Sequence, residues 1–153
     1  MEIERKFLVT SDAWRKDAKG SAEIEQGYVA KSSAAAVRVR IKNNETGYLT
    51  VKPRNPGRSR SEFEYEIPIG EARALMKLCG DETISKRRYR VPQGRLTWEI
   101  DIFAGRHIGL IMAEIELPHA DEPLTLPDWI GKEVTDDPDY RNANIARSER
   151  AGS

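Results

Sequence analysis

The chain has 153 residues, 33% of them charged and 39% hydrophobic, and Lys plus Arg balance Asp plus Glu at 25 each. That length suits one domain, expected over 1–150, with enough apolar content for a real core, and the composition is too hydrophobic for a disordered chain. A net charge of zero gives no support for nucleic-acid steering or binding to an anionic membrane, so the local sorting of charge carries the information.

Eight segments read as strands: 2–9, 22–30, 36–43, 47–53, 61–69, 83–91, 95–104 and 109–117. Turn signals separate several of them, notably Asn43-Asn44-Glu45-Thr46-Gly47, Pro53 to Gly57, and Pro92-Gln93-Gly94. Short spacings favour antiparallel neighbours. Three helical pieces are expected. Thr10 or Ser11 would cap a short one through Trp14 and Ala18. Glu71 to Cys79 has helical spacing of Ala72, Leu75, Met76 and Cys79, with Gly80 as its stop. A last helix would follow Pro138, from Tyr140 to about Arg150. Cys79 is the single cysteine, so no internal disulfide forms, and it reads as a small buried hydrophobe. No apolar run approaches a membrane span and no signal peptide opens the sequence, so a cytoplasmic location with no membrane partner is the default expectation.

In a strand, alternate residues share a face. Val37, Val39 and Ile41 oppose Arg38, Arg40 and Lys42; Phe63, Tyr65, Ile67 and Ile69 oppose Glu62, Glu64 and Glu66. Trp98, Ile100 and Ile102 oppose Glu99 and Asp101; Ile111, Ala113, Ile115 and Leu117 oppose Glu114 and Glu116. Lys86, Arg88 and Arg90 share a face, Lys52 opposes Leu49 and Val51, and Glu2, Glu4 and Lys6 oppose Ile3 and Phe7. A half-solvated sheet also alternates apolar and charged residues. Here, however, most of these strands carry one sign, whereas a merely soluble face mixes signs because neighbouring like charges repel. The even strand count and short connections allow the sheet to close into an eight-stranded antiparallel β-barrel with a few flanking helices, an α+β, mainly β, fold. The charged face would then line a lumen. A basic wall suits a polyanion with charges in a row, and an acidic wall suits hard divalent cations. A polyphosphate carrying Mg²⁺ needs both at once.

These residues resemble the CYTH family, or triphosphate tunnel metalloenzymes. Its opening Glu-x-Glu-x-Lys stands here as Glu2-Ile3-Glu4-Arg5-Lys6. It is followed in order by Arg38-x-Arg40, Lys52, Arg60-x-Glu62-x-Glu64-x-Glu66, Lys86-x-Arg88, Asp101 and Glu114-x-Glu116. The stretch Trp129 to Thr135 followed by Tyr140-Arg141-Asn142 is similar to the tail of compact bacterial members. The resemblance implies a closed tunnel and divalent-metal-dependent chemistry on a triphosphate, with Mg²⁺ expected and Mn²⁺ as the alternative. It implies Glu2, Glu4 and Lys6 as catalytic residues. It implies Lys6, Arg38, Arg40, Lys52, Arg60, Lys86 and Arg88 as substrate binders. The implied metal ligands are Glu2, Glu4, Glu62, Glu64, Glu66, Asp101, Glu114 and Glu116. Asp101 would support either the metal or a basic neighbour, and Glu62 and Glu64 are favoured over Glu66 on their strand.

Hydrolysis of inorganic triphosphate is the first expectation, because the chain has no obvious insertion to form a base-recognising pocket. Class IV adenylate cyclase, thiamine triphosphatase and a non-catalytic polyphosphate-binding module are the alternatives. The expected partner is a triphosphate-containing small molecule, with no nucleic acid; pairing of two barrels through an apolar outer face is left open. Other residues read more plainly. His107 and His119 are expected in loops or on the surface, and Trp14, Trp98 and Trp129 as packing residues. Tyr28 would donate to a phosphate or pack, and Arg141 is the candidate to plug one end of the tunnel.

Overall fold

A computed structural model describes residues 3–54, 62–141 and 144–145. Glu2, Arg60 and most of the expected last helix therefore lie outside the described residues. Nine strands form one antiparallel sheet: β1 (Ile3–Val9), β2 (Ser21–Lys31), β3 (Ala35–Lys42), β4 (Thr46–Pro53), β5 (Phe63–Ile67), β6 (Thr83–Gln93), β7 (Leu96–Phe103), β8 (Ile111–Leu117) and β9 (Ile130–Glu133). Their order across the sheet is β5-β4-β3-β2-β6-β7-β8-β1-β9. Eight of the strands were expected; β9 is an addition, laid beside β1.

The sheet curls on itself. β4 and β1 are six places apart in the order. A flat sheet would separate them by roughly 29 Å at about 4.8 Å per strand, beyond the reach of screened charges. Yet Lys52 on β4 and Glu4 on β1 each alter the other's proton affinity. Leu8 of β1 likewise packs in one cluster with Tyr28 of β2 and Ala36 of β3. The expected barrel-like lumen is present. Among the described residues its ladder has two edges, β5 and β9, which are not paired with each other, so nine strands stand where a closed eight-stranded barrel was expected.

The outer face is apolar, as the parity predicts, and two coverings bury it. Over β1, β6, β7 and β8, Phe7, Val91, Trp98, Ile100, Ala113, Ile115 and Leu117 pack under Trp14 and Trp129. Trp14 comes from a 3-10 turn at Ala13–Asp17, where a short helix was expected. The second covering is α1 (Ile69–Leu78), whose Ala72 and Met76, with Cys79 just past its end, lie on Val39 and Ile41. Glycine lets this helix approach. A Cβ on Gly27 would sit 2.7 Å from Cys79 Sγ, and one on Gly47 would sit 2.5 Å from Ala72 Cβ. Gly80 ends the helical segment at φ 60°, where a side chain would be strained. Among the described residues, no helix is long and apolar enough to cross a membrane.

Candidate active site

Antiparallel register places the sorted charges side by side along the lumen. Glu4 pairs with Glu116 and Lys6 with Glu114 across β1 and β8. Glu99 faces Glu114 across β7 and β8, and Arg88 faces Asp101 across β6 and β7. Gln26 faces Arg40, Arg38 faces Thr50, and Thr50 faces Glu64. Arg5, of opposite parity, is on the outside, bonded to Glu133 at 2.6 Å.

On β1, β2, β3, β6, β7 and β8 the inward-facing charges give way at one end to apolar groups. Leu8, Tyr28, Ala36, Ile84, Phe103 and Met112 meet Leu110, Val134 and Ile145 there. They form an apolar floor under these six strands, while β4 and β5 keep Lys52 and Glu62 at that end. The plug is Ile145, wholly buried, and not Arg141, which is exposed. Val134 reaches the floor because its N–H donates to the Lys6 carbonyl at 2.8 Å.

Directly above the floor lies a ring of polar side chains out of solvent: Gln26, Arg38, Thr50, Lys86, Asp101 and Glu114 are all buried. Buried charge is costly unless paired, and most of this ring is paired. Lys86 Nζ lies 2.8 Å from Asp101 Oδ2. Arg88 makes a two-point contact to the same carboxylate, Nε to Oδ1 at 2.7 Å and Nη2 to Oδ2 at 2.9 Å. Both Asp101 oxygens are thereby occupied. Asp101 is thus a partner of its basic neighbours, one of the two roles expected for it. Burial alone would raise its proton affinity, but Lys86 and Arg88 outweigh burial and hold the carboxyl well below its ordinary range. Burial pushes Lys86 down, against the pull of Asp101.

The acidic wall is less settled. Burial, then the Glu114 charge, pushes Glu4 up to about 7, against Lys6. Glu114 stays below its ordinary range: burial opposes this, and Lys6, Lys86 and Arg88 override it. Lys6 Nζ stands between the two carboxylates, 3.9 Å from Glu4 and 3.8 Å from Glu114. Glu114 also feels Lys86 and Arg88, so Glu4 is the carboxylate left short of positive charge, which is what a site for a further cation requires.

Among the described residues, no three Asp, Glu, His or Cys side chains converge closely enough to hold a metal unaided. Mg²⁺ ordinarily takes one or two carboxylates and completes its shell with water and substrate phosphates. Glu4 and Glu114 fit that pattern.

The third wall is basic. Arg40 donates twice to Gln26 Oε1, from Nε at 2.9 Å and Nη2 at 2.7 Å. Burial, then Arg38 and Arg88, lowers Arg40 to about 10, so it remains a cation at neutral pH. Arg38 Nη2 reaches Thr50 Oγ1 at 3.4 Å, and that hydroxyl donates to Glu64 Oε2 at 2.9 Å. Arg38 Nε is buried with no protein partner. Lys52 lies 3.4 Å from Glu62. Glu62 and Glu64 thus serve basic neighbours at the sheet edge, Glu66 faces Tyr48, and Glu116 is exposed nearer the open end. Gln26, Thr50 and the apolar floor were missed as site components. Of the two places expected for His107, it takes the loop: it lies in the Gly105–His107 turn, buried against Phe103.

Acidic and basic side chains thus line separate walls of one lumen, with Arg38 and Lys86 buried in it. The CYTH domain family model matches residues 1–147. The chain belongs to the CYTH domain family. It is 47% identical over 148 residues to an inorganic triphosphatase of Acetivibrio thermocellus, covering 96% of this chain and 94% of the relative. It is 31% identical to an inorganic triphosphatase of Nitrosomonas europaea, covering 96% of this chain and 97% of the relative. The crystal structure of the inorganic triphosphatase NE1496 superposes with a TM-score of 0.73 at 29% identity, over 95% of this chain and 97% of that one.

Proposed function

We propose that this chain hydrolyses inorganic triphosphate in the lumen, assisted by a divalent cation. The observation that carries the reading is the ring above the floor, where Arg38 keeps an unpartnered N–H while Glu4, raised by burial and by Glu114, stands on another wall. The full-length likeness to two relatives named inorganic triphosphatases supports it.

Lys6, Arg38, Arg40, Lys52 and Arg88 hold the phosphates, arginine by forked donation and lysine as a point charge. Lys86 and Asp101 brace Arg88 from below. Glu4 and Glu114, with Glu116 beside them and Glu2 two positions before Glu4 in the sequence, hold the cation, with Mg²⁺ favoured over Mn²⁺. A bound divalent cation supplies charge neutralisation on the phosphate oxygens and lowers the pKa of its water. Phosphoryl transfer spreads charge over the transferred group, so pre-placed cations in a site shielded from solvent supply most of the rate. The burial of the ring favours this.

The test is a substrate panel of tripolyphosphate, ATP and thiamine triphosphate with Mg²⁺ or Mn²⁺, following phosphate release and cyclic AMP. Preferred phosphate release from tripolyphosphate is expected. Cyclic AMP from ATP would replace the reading with a cyclase, and binding without turnover would replace it with a polyphosphate-binding module.

A further inference from the structure

Gln26 sits in the ring above the floor and is fully buried, the one uncharged amide there. Its orientation follows from its neighbour. Arginine has only donors, so the Gln26 carbonyl must face Arg40, and both Arg40 contacts do end on Oε1. The amide nitrogen is therefore turned the other way, and it is buried with no protein partner. An orphaned buried donor ordinarily costs on the order of 1–3 kcal/mol, a cost that an acceptor oxygen entering the lumen would offset.

The position is also fixed from behind. The next residue, Gly27, lies against Cys79 so closely that a Cβ would not fit. The strand cannot back away from the lumen at this point. A cation at position 26 would add to the mutual repulsion of Arg38, Arg40 and Arg88, whereas a neutral amide adds two donors without adding charge.

We infer that Gln26 is a substrate-contacting residue, whose carbonyl fixes the Arg40 guanidinium and whose amide NH₂ donates to a phosphate oxygen of the bound triphosphate. This rests on the triphosphatase reading. It makes Gln26 a binding residue in its own right, beyond its support of Arg40.

A double-mutant cycle separates the two roles. Gln26→Met keeps the volume and removes both carbonyl and amide; Arg40→Met removes the residue that Gln26 would merely position. The readouts are kcat/KM for tripolyphosphate with Mg²⁺, its calorimetric Kd with EDTA so that no turnover intervenes, and the melting temperature. Loss of a hydrogen bond to a charged phosphate predicts that Q26M weakens binding about 10-fold to 100-fold. In the R40M background, Q26M should weaken binding by at least about 5-fold again, without lowering the melting temperature to match.

No further loss in the R40M background would reduce Gln26 to a positioning residue and overturn the inference. An unimpaired Q26M beside an active wild type would remove it from the site altogether. A wild type that neither hydrolyses nor binds tripolyphosphate would sink the triphosphatase reading, and this role with it.

Discussion

Asp101 is the residue whose loss the fold should feel most. It is almost fully buried and is the shared anion for Lys86 and Arg88, at 2.8 and 2.7 Å. Asp101→Asn keeps the shape and removes the charge. Two cations are then left facing each other beneath solvent, and removal of one partner from a buried ion pair costs about 3–5 kcal/mol. At about 2–4 °C per kcal/mol for a domain of this size, the melting temperature should fall by roughly 6–20 °C. Differential scanning calorimetry across pH reads both the drop and its cause. In the wild type the Asp101 carboxyl titrates below its unfolded value. The unfolded chain therefore binds the proton first as the pH falls below about 4, and the folded state loses that stabilisation over the same window. D101N should lack this component and lose less stability over that range. Tripolyphosphate should restore more stability to D101N than to the wild type, because its charge replaces the missing anion. A D101N protein melting within about 2 °C of wild type at neutral pH would refute the reasoning.

Three further outcomes follow from the same geometry. Without metal, Glu4 holds its proton up to about 7, above its unfolded value, so its ionisation destabilises the fold as pH rises from about 4.5 through 7. Apo Glu4→Gln should accordingly melt above apo wild type at pH 8, with the difference gone at pH 4; an E4Q protein melting below wild type at pH 8 would contradict the repulsion with Glu114. Gly27→Ala forces a Cβ into Cys79, an overpacking of about 1–3 kcal/mol in urea unfolding, and Cys79→Ala in the same chain should recover only part of it, because the residue 79 Cβ at 2.9 Å and the Glu82 carbonyl at 3.1 Å remain. Arg5→Ala should leave tripolyphosphate turnover unchanged and cost no more than about 1 kcal/mol, since its bond to Glu133 is on the solvated outer face.

Much of the lumen was legible because a strand's period of two is rigid. Once Arg38 and Arg40 were on one face, Val39 had to be on the other, and one-signed strands had to meet across the register. The same period puts Arg5 on the outside, where it pairs with Glu133. What escaped lacked a charge or depended on distant packing. Gln26 matters through its cross-strand neighbour Arg40, which no single-strand pattern displays. The floor did leave a trace. Leu8, Tyr28, Ile84, Phe103 and Met112 all fall on the inward parity, at the same end of their strands, and an apolar residue there marks where a lumen closes. Ile145 left none, because its burial depends on how the C-terminal segment returns to the lumen. β9 is four residues long, and His107 is buried by a turn packed on Phe103; neither has a periodic signature.

The most direct test of the whole account is phosphate release from tripolyphosphate by wild type and Glu4→Ala, with Mg²⁺ and with EDTA. Turnover only by wild type with Mg²⁺, beside an E4A protein that still melts cooperatively, is the predicted result. Undiminished turnover by E4A, or equal turnover in EDTA, would contradict it.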